Sequence, residues 1–104
     1  MESFVSIFVT ASKLEEAEII AMRLLESKLI ACANIVPGIR SHYTWKGKLC
    51  RDNEVLIIMK SRAERLDAII KMVKSLHSYE VPEIISLPIT GGSEEYLHWL
   101  SDST

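Results

Sequence analysis

The run Val55-Leu-Ile-Ile-Met59 constrains the fold of this chain more than any other segment. It is short, continuously apolar, rich in branched side chains and bracketed by Glu54 and Lys60, which is the pattern of a buried strand. Successive side chains on a strand point to opposite faces. A strand of this composition is therefore apolar on both faces, and a second layer has to cover each of them.

The flanking segments supply the layers. Phe4–Thr10 reads as a first strand, with Phe4 and Phe8 on the face opposite Val5, Ile7 and Val9. Ser12 with Glu15 forms a capping-box pattern that starts a helix running to about Leu29, with Ala17, Ile20, Ala21 and Leu24 at helical spacing. A second strand runs over Cys32–Val36 and, after an interruption at Pro37-Gly38, over Ile39–Trp45. Lys46-Gly47 is the turn, and Leu49–Lys60 is the returning third strand. Ser61 with Glu64 is a second capping-box pattern, and Leu66, Ile69, Ile70, Val73 and Leu76 give the helix that follows one apolar face. Pro82 ends that helical stretch. Glu83–Thr90 is a fourth strand, placed at an edge by Pro88, and Ser93 caps a short last helix carrying Tyr96, Trp99 and Leu100.

The resulting order, β-α-β-β-α-β-α, predicts an α+β ferredoxin-like (split βαβ) antiparallel sheet with two helices on one face plus a short C-terminal helix. The expected strand order is 4-1-3-2. Both long helices then share one face, and the other is expected to lie bare. A large bare apolar face marks an interface. The second and third strands are also long against the usual five or six residues. A closed homo-oligomer follows as the expectation.

Bulk properties exclude several classes. At 104 residues the chain makes one domain, 1–104. Its net charge of −2, with Lys and Arg dispersed, gives no electrostatic footprint for nucleic acid. No apolar run approaches the roughly 20 residues of a membrane span. Nothing at Met1–Ser3 resembles a secretory leader, so a cytoplasmic location is expected. With the turn at Lys46-Gly47, Cys50 lies opposite Tyr43, and Cys32 falls about 36 Å away at strand rise, so two free thiols are expected.

Candidate chemistry concentrates in Leu76–Glu83, where His77, Tyr79, Glu80 and Glu83 fall at a helix-to-strand junction. His77 is either an exposed partner of the helix dipole or a metal ligand or acid–base group. Glu54 and Lys60 are an even number of residues apart, so they share a strand face and either bracket a buried strand or line a cleft. Tyr43 and Trp45 alternate beside the hairpin turn, as interface anchors do. Cys50 beside Arg51 is a candidate surface thiol for a soft metal, whereas Cys32 reads as a buried small hydrophobe. His42 and His98 stand alone. No nucleophile, phosphate-loop or cofactor motif is present, and no enzyme is expected.

Five segments, Leu29-Ile-Ala-Cys-Ala-Asn34, Pro37-Gly38, Tyr43-Thr-Trp-Lys-Gly-Lys48, His77-Ser-Tyr-Glu-Val-Pro-Glu83 and Tyr96-Leu-His-Trp-Leu100, resemble in order and spacing the CutA divalent-cation tolerance family. The resemblance spans nearly the whole chain. It implies a homotrimer of ferredoxin-like subunits, similar in build to the PII signalling proteins, and a role in tolerance to divalent metal ions, copper foremost. His77, Tyr79, Pro82 and Glu83 match the family's His-Pro-Tyr-x-x-Pro-Glu motif, and Ser78 departs from it, which predicts a less rigid helix exit. Members credited with copper binding use a first-strand thiol and paired histidines. The matching positions here are Val9 and Leu76, which leaves His77 alone and predicts lower affinity.

Two functions follow as expectations. In the first, a metal-responsive trimer binds Cu2+ or another divalent cation through His77, with Glu83 and Cys50 assisting, and needs no obligatory cofactor. In the second, a PII-like sensor or scaffold takes a small molecule or protein partner in inter-subunit clefts lined by Trp45, Glu54, Lys60, Tyr79 and Glu83. Acid–base catalysis by His77, Tyr79 and Glu83 ranks last.

Overall fold

In the computed structural model, which describes residues 2–104, Val55–Met59 is the middle of an interior strand. The elements are β1 (Phe4–Ala11), α1 (Leu14–Glu26), β2 (Cys32–Trp45), β3 (Lys48–Arg62), α2 (Leu66–Leu76), β4 (Ile84–Ile89) and α3 (Glu94–Asp102), with a single 3-10 turn, Ala63–Arg65, leading into α2. The sheet is antiparallel throughout with order β2-β3-β1-β4, the expected arrangement, and β4 with Pro88 is an edge.

The odd-numbered residues of the central strands, among them Ile7, Val9, Ile57 and Met59, face α1 and α2 and are fully buried with Ile20, Leu24, Ile69 and Val73. Each such side chain contributes about 1.5–3 kcal/mol of transfer free energy. The even-numbered residues face away, and there Phe4, Phe8, Leu56 and Ile58 are only partly covered, while Val36, Ile85 and Leu87 are exposed. One expectation changes here. The second face is not wholly bare, because α3 lies over the end of it that carries Cys32 and Arg62. Leu100 is fully buried there, outside the main core cluster, and the Tyr96 hydroxyl lies 3.5 Å from Cys32 Sγ. Cys32, expected to be a buried small hydrophobe, is half-buried on this second face.

Neither capping box forms as the sequence pattern suggests. Ser12 pairs with Glu16 rather than Glu15, its N–H and hydroxyl both donating to one carboxylate oxygen at 3.1 and 2.9 Å. Ser61 is the penultimate residue of β3, fully buried, and its hydroxyl donates to the Leu29 carbonyl at 2.5 Å. Strand pairing with β1 continues to Arg62 and claims Ser61 before a helix can start. α1 stops three residues early. Lys28 takes φ 56°, Leu29 N–H returns to the Leu24 carbonyl and Lys28 N–H to that of Leu25, a Schellman closure without the usual glycine.

The β2–β3 hairpin positions the site. Lys46 (φ 52°) and Gly47 (φ 77°) make a two-residue type I′ turn whose twist matches the ribbon. Gly38, also at positive φ, lies in a register shift between Val36 and Ile39, the interruption expected at Pro37-Gly38. β1 pairs with β3 only over Val55–Arg62, so Ile39–Trp45 and Lys48–Glu54 run on as a two-stranded ribbon past the end of β1, and the molecule is 44 Å long by 25 Å wide.

Candidate functional site

Where β1 ends, the β2–β3 ribbon continues on one side and the His77–Glu83 connection crosses on the other. Between them lies a cavity of about 600 Å³ lined by residues of β1 (Thr10), the ribbon (Ser41, His42, Tyr43, Trp45, Glu54) and the connection (Ser78, Tyr79, Glu80, Val81, Glu83). A ligand-sized space is thus built from segments far apart in sequence.

His77 anchors the connection. Its side chain is fully buried, unlike the solvent-exposed dipole partner that helix-end placement suggests. Nδ1 accepts the Tyr79 N–H at 3.0 Å, and Nε2 lies 2.7 Å from the Thr10 carbonyl, which can only accept. Nε2 therefore donates and Nδ1 accepts, so both ring nitrogens are engaged. Glu16 reaches in from α1 and accepts the Ser78 N–H at 2.7 Å, with its carboxylate 3.8 Å from His77 Nδ1. Burial pushes the Glu16 carboxyl up, but donors from Ser78 and Ser12 outweigh it and bring it down to about 2. The departure from the motif at Ser78 supplies this donor. Proline has no N–H, whereas serine donates one that ties the helix exit to α1.

Tyr79 carries the geometry into the cavity wall. Its ring packs against His77 at 4.7 Å between centroids, and its hydroxyl donates to Glu54 Oε2 at 2.6 Å. Burial and the Glu54 carboxylate both raise the phenol, so it stays a donor. Glu54 itself is only 6% exposed. Tyr43 donates to Asp52 and is raised to about 12 by that bond.

The structure brings together Trp45, Glu54, Tyr79 and Glu83, all expected in a cleft, around this cavity. Lys60 is not among them. It shares the strand face of Glu54, but six residues at strand rise put it roughly 20 Å away, where its ammonium bonds Asn34. Of the expected metal ligands, only Glu83 lines the cavity; His77 is closed by its own hydrogen bonds, and Cys50 lies on the hairpin arm opposite Tyr43 with its thiol turned to the Lys48 carbonyl at 3.8 Å. Among the described residues no group of three or more His, Cys, Asp or Glu side chains is gathered to hold an ion, so the set His77, Glu83, Cys50 does not converge within one subunit. Both cysteines are free thiols. Sequence reasoning missed Glu16, Thr10 and Ser78, the parts that lock the connection. Of these, only the departure at Ser78 carried a signal.

This sheet, with its two-helix layer, projecting ribbon and ribbon-side cavity, defines a ferredoxin-like α+β protein. The chain belongs to the CutA1 divalent ion tolerance protein family, whose model matches residues 5–103. It is 47% identical over 98 residues to "Protein CutA, chloroplastic" of Arabidopsis thaliana, an alignment covering 94% of this chain and 54% of that protein, so the chain spans about half the length of such plant relatives. The crystal structure of CutA1 from Oryza sativa superposes with a TM-score of 0.95 at 46% identity, covering 98% of this chain and 94% of that one. The structure described as the periplasmic divalent cation tolerance protein CutA from Archaeoglobus fulgidus gives a TM-score of 0.92 at 45% identity, covering 99% and 98%. Relatives are thus named for the chloroplast and the periplasm. No described helix of this chain is long and apolar enough to cross a membrane.

Proposed function

We propose that this protein is a homotrimeric, PII-like binding protein that acts in the response to divalent metal ions, copper foremost, and does so without catalysis. Its working site is the cavity beside the hairpin ribbon. A single observation carries this reading: Trp45, Glu54, Tyr79 and Glu83 converge there, next to the open apolar sheet face. Subunits joined over that face in a closed ring bury Val36, Ile85 and Leu87, and the projecting ribbons reach neighbouring subunits. The cavity then becomes an inter-subunit cleft.

Cu2+ or another divalent cation is the ion to which the assembly responds. A direct contact would fall to Glu83, the one expected ligand open to the cavity, helped by groups from a neighbouring subunit, and no obligatory cofactor is called for. A cytoplasmic location completes the proposal, and fractionation of cells expressing the tagged chain tests it.

Light scattering combined with a thermal-shift screen tests the reading as a whole. A trimer whose midpoint shifts with divalent cations, and also rises with small organic ligands in a way lost in Trp45→Ala, is the expected result. A monomer at micromolar concentration, or a midpoint that no divalent metal ion moves, overturns it; a midpoint moved by metal ions alone overturns the cavity as a small-molecule site.

A further inference from the structure

Building on the reading of the ribbon-side cavity as the binding site, its chemistry narrows what can enter. Three of its lining residues are glutamates, Glu54, Glu80 and Glu83, and none is Lys or Arg. Glu54 is 94% buried by its 6% exposure, and its only hydrogen bond among the described residues is from Tyr79 to Oε2. Among the described residues no donor reaches Oε1, and no Lys, Arg or His pairs with the carboxylate. Oε1 keeps contact with the cavity and is placed to accept a hydrogen bond from a ligand there.

The rim already displays the matching chemistry. The Lys46 ammonium lies 5.7 Å from the centroid of the Trp45 ring and 3.9 Å from Glu80 Oε2. A positive group between an indole face and a carboxylate is favoured by the ring quadrupole and by charge pairing together. Lys46 itself is mostly exposed and does not reach Glu54. It leaves the interior carboxylate open while showing what the aromatic wall accepts.

We infer that the cavity binds an organic cation, an amidinium, guanidinium or primary ammonium on an apolar body, whose N–H groups donate to Glu54 Oε1 and whose body lies on Trp45. A planar amidinium suits this best, since it offers parallel donors to a carboxylate and a flat face to an indole. The same wall repels phosphates. A nucleotide has no Lys or Arg in the lining to meet it, unlike the usual anion sites with their Lys, Arg or helix N-terminus.

Benzamidinium chloride is the probe. Calorimetric titration of the full chain, with Trp45 fluorescence followed in a Trp99→Phe background, should give saturable binding at about one per chain with a Kd near or below about 1 mM. Affinity should fall at least about tenfold in Glu54→Gln, which keeps an acceptor for Tyr79 and so preserves the fold. It should fall again in Trp45→Ala, with light scattering on that variant to show that its assembly matches the wild type. ATP should give no heat and should not compete.

Absence of saturable benzamidinium binding overturns the inference, as does equal affinity in wild type, Glu54→Gln and Trp45→Ala. If ATP or CuCl2 occupies the cavity instead, with the signal lost in Trp45→Ala, the cation inference falls while the cavity remains the binding site. If benzamidinium binds as expected but light scattering finds a monomer, the inference stands and the inter-subunit reading falls.

Discussion

Replacing Glu16 with glutamine should destabilise the protein in a way that disappears with acid. In the folded chain Glu16 accepts three hydrogen bonds, two from Ser12 and one from Ser78, with a side chain that is only 10% exposed. Its carboxyl falls from 4.5 to about 2. Because the folded value lies below the unfolded one, the stabilisation is fully present above about pH 4.5 and is lost as the pH falls towards 2. At 1.36 kcal/mol per unit this amounts to about 3 kcal/mol at pH 7 and roughly 1 kcal/mol at pH 3. Glutamine keeps one accepting oxygen for Ser12 but turns a donor towards the Ser78 N–H, so Glu16→Gln should cost about 2–3 kcal/mol at pH 7. The assay is urea unfolding of both proteins at pH 7, 5, 4 and 3, at one fixed protein concentration because the proposed assembly would be linked to folding. The difference between them should be flat from pH 7 to 5 and shrink below pH 4.5. A difference under about 0.5 kcal/mol at pH 7, or one that stays constant down to pH 3, would refute the argument that this carboxylate pins the helix exit.

Other perturbations probe the same frame. Tyr79→Phe removes the sole donor to the buried Glu54 carboxylate and should cost about 1.5–3 kcal/mol by urea unfolding, with Glu54→Gln rescuing part of the loss in a double-mutant cycle. His77→Ala empties a fully buried site and orphans the Thr10 carbonyl and Tyr79 N–H; a loss of at least about 2 kcal/mol is expected, and a neutral outcome would show that the ring is not the anchor. Ser61→Ala should cost about 1 kcal/mol through the Leu29 carbonyl, while Glu64→Ala should stay within about 0.5 kcal/mol; the reverse pattern would restore the capping box. Lys28→Gly relieves a left-handed backbone position and should raise stability by about 0.5–1 kcal/mol in the same assay.

Much of the sheet was legible because the period of the apolar residues names the element. Alternation in Phe4–Thr10 and the run at Val55–Met59 defined the two central strands, and Pro88 marked the edge. Lys46-Gly47 marked the hairpin, since two residues at positive φ are what a type I′ turn demands. Helix starts were misread because a serine three residues ahead of a glutamate scores as a cap whether or not a strand has already claimed it. At Ser61 the ladder with β1 took precedence, since its hydrogen bonds and burial exceed what one cap supplies. Trp45, Glu54, Tyr79 and Glu83, read in the sequence as cleft residues together with Lys60, line one cavity without it, and the burial and closure of His77 carried no signal in the sequence.

Local pattern, read alone, determined the identity and order of the elements, the strand order they allow and the segment where polar chemistry gathers. Those properties follow from side-chain spacing along one stretch of chain. Only the tertiary structure decided which polar groups are spent on each other. Thr10, Glu16 and Ser78 close around His77 from three separate segments, while Glu54, bonded through Oε2 to Tyr79, turns to a cavity formed between ribbon and connection. Hydrogen-bond satisfaction depends on what folding brings alongside, and no local period encodes it. His77 therefore reads in the sequence as either a dipole partner or a ligand, and serves in the fold as an anchor.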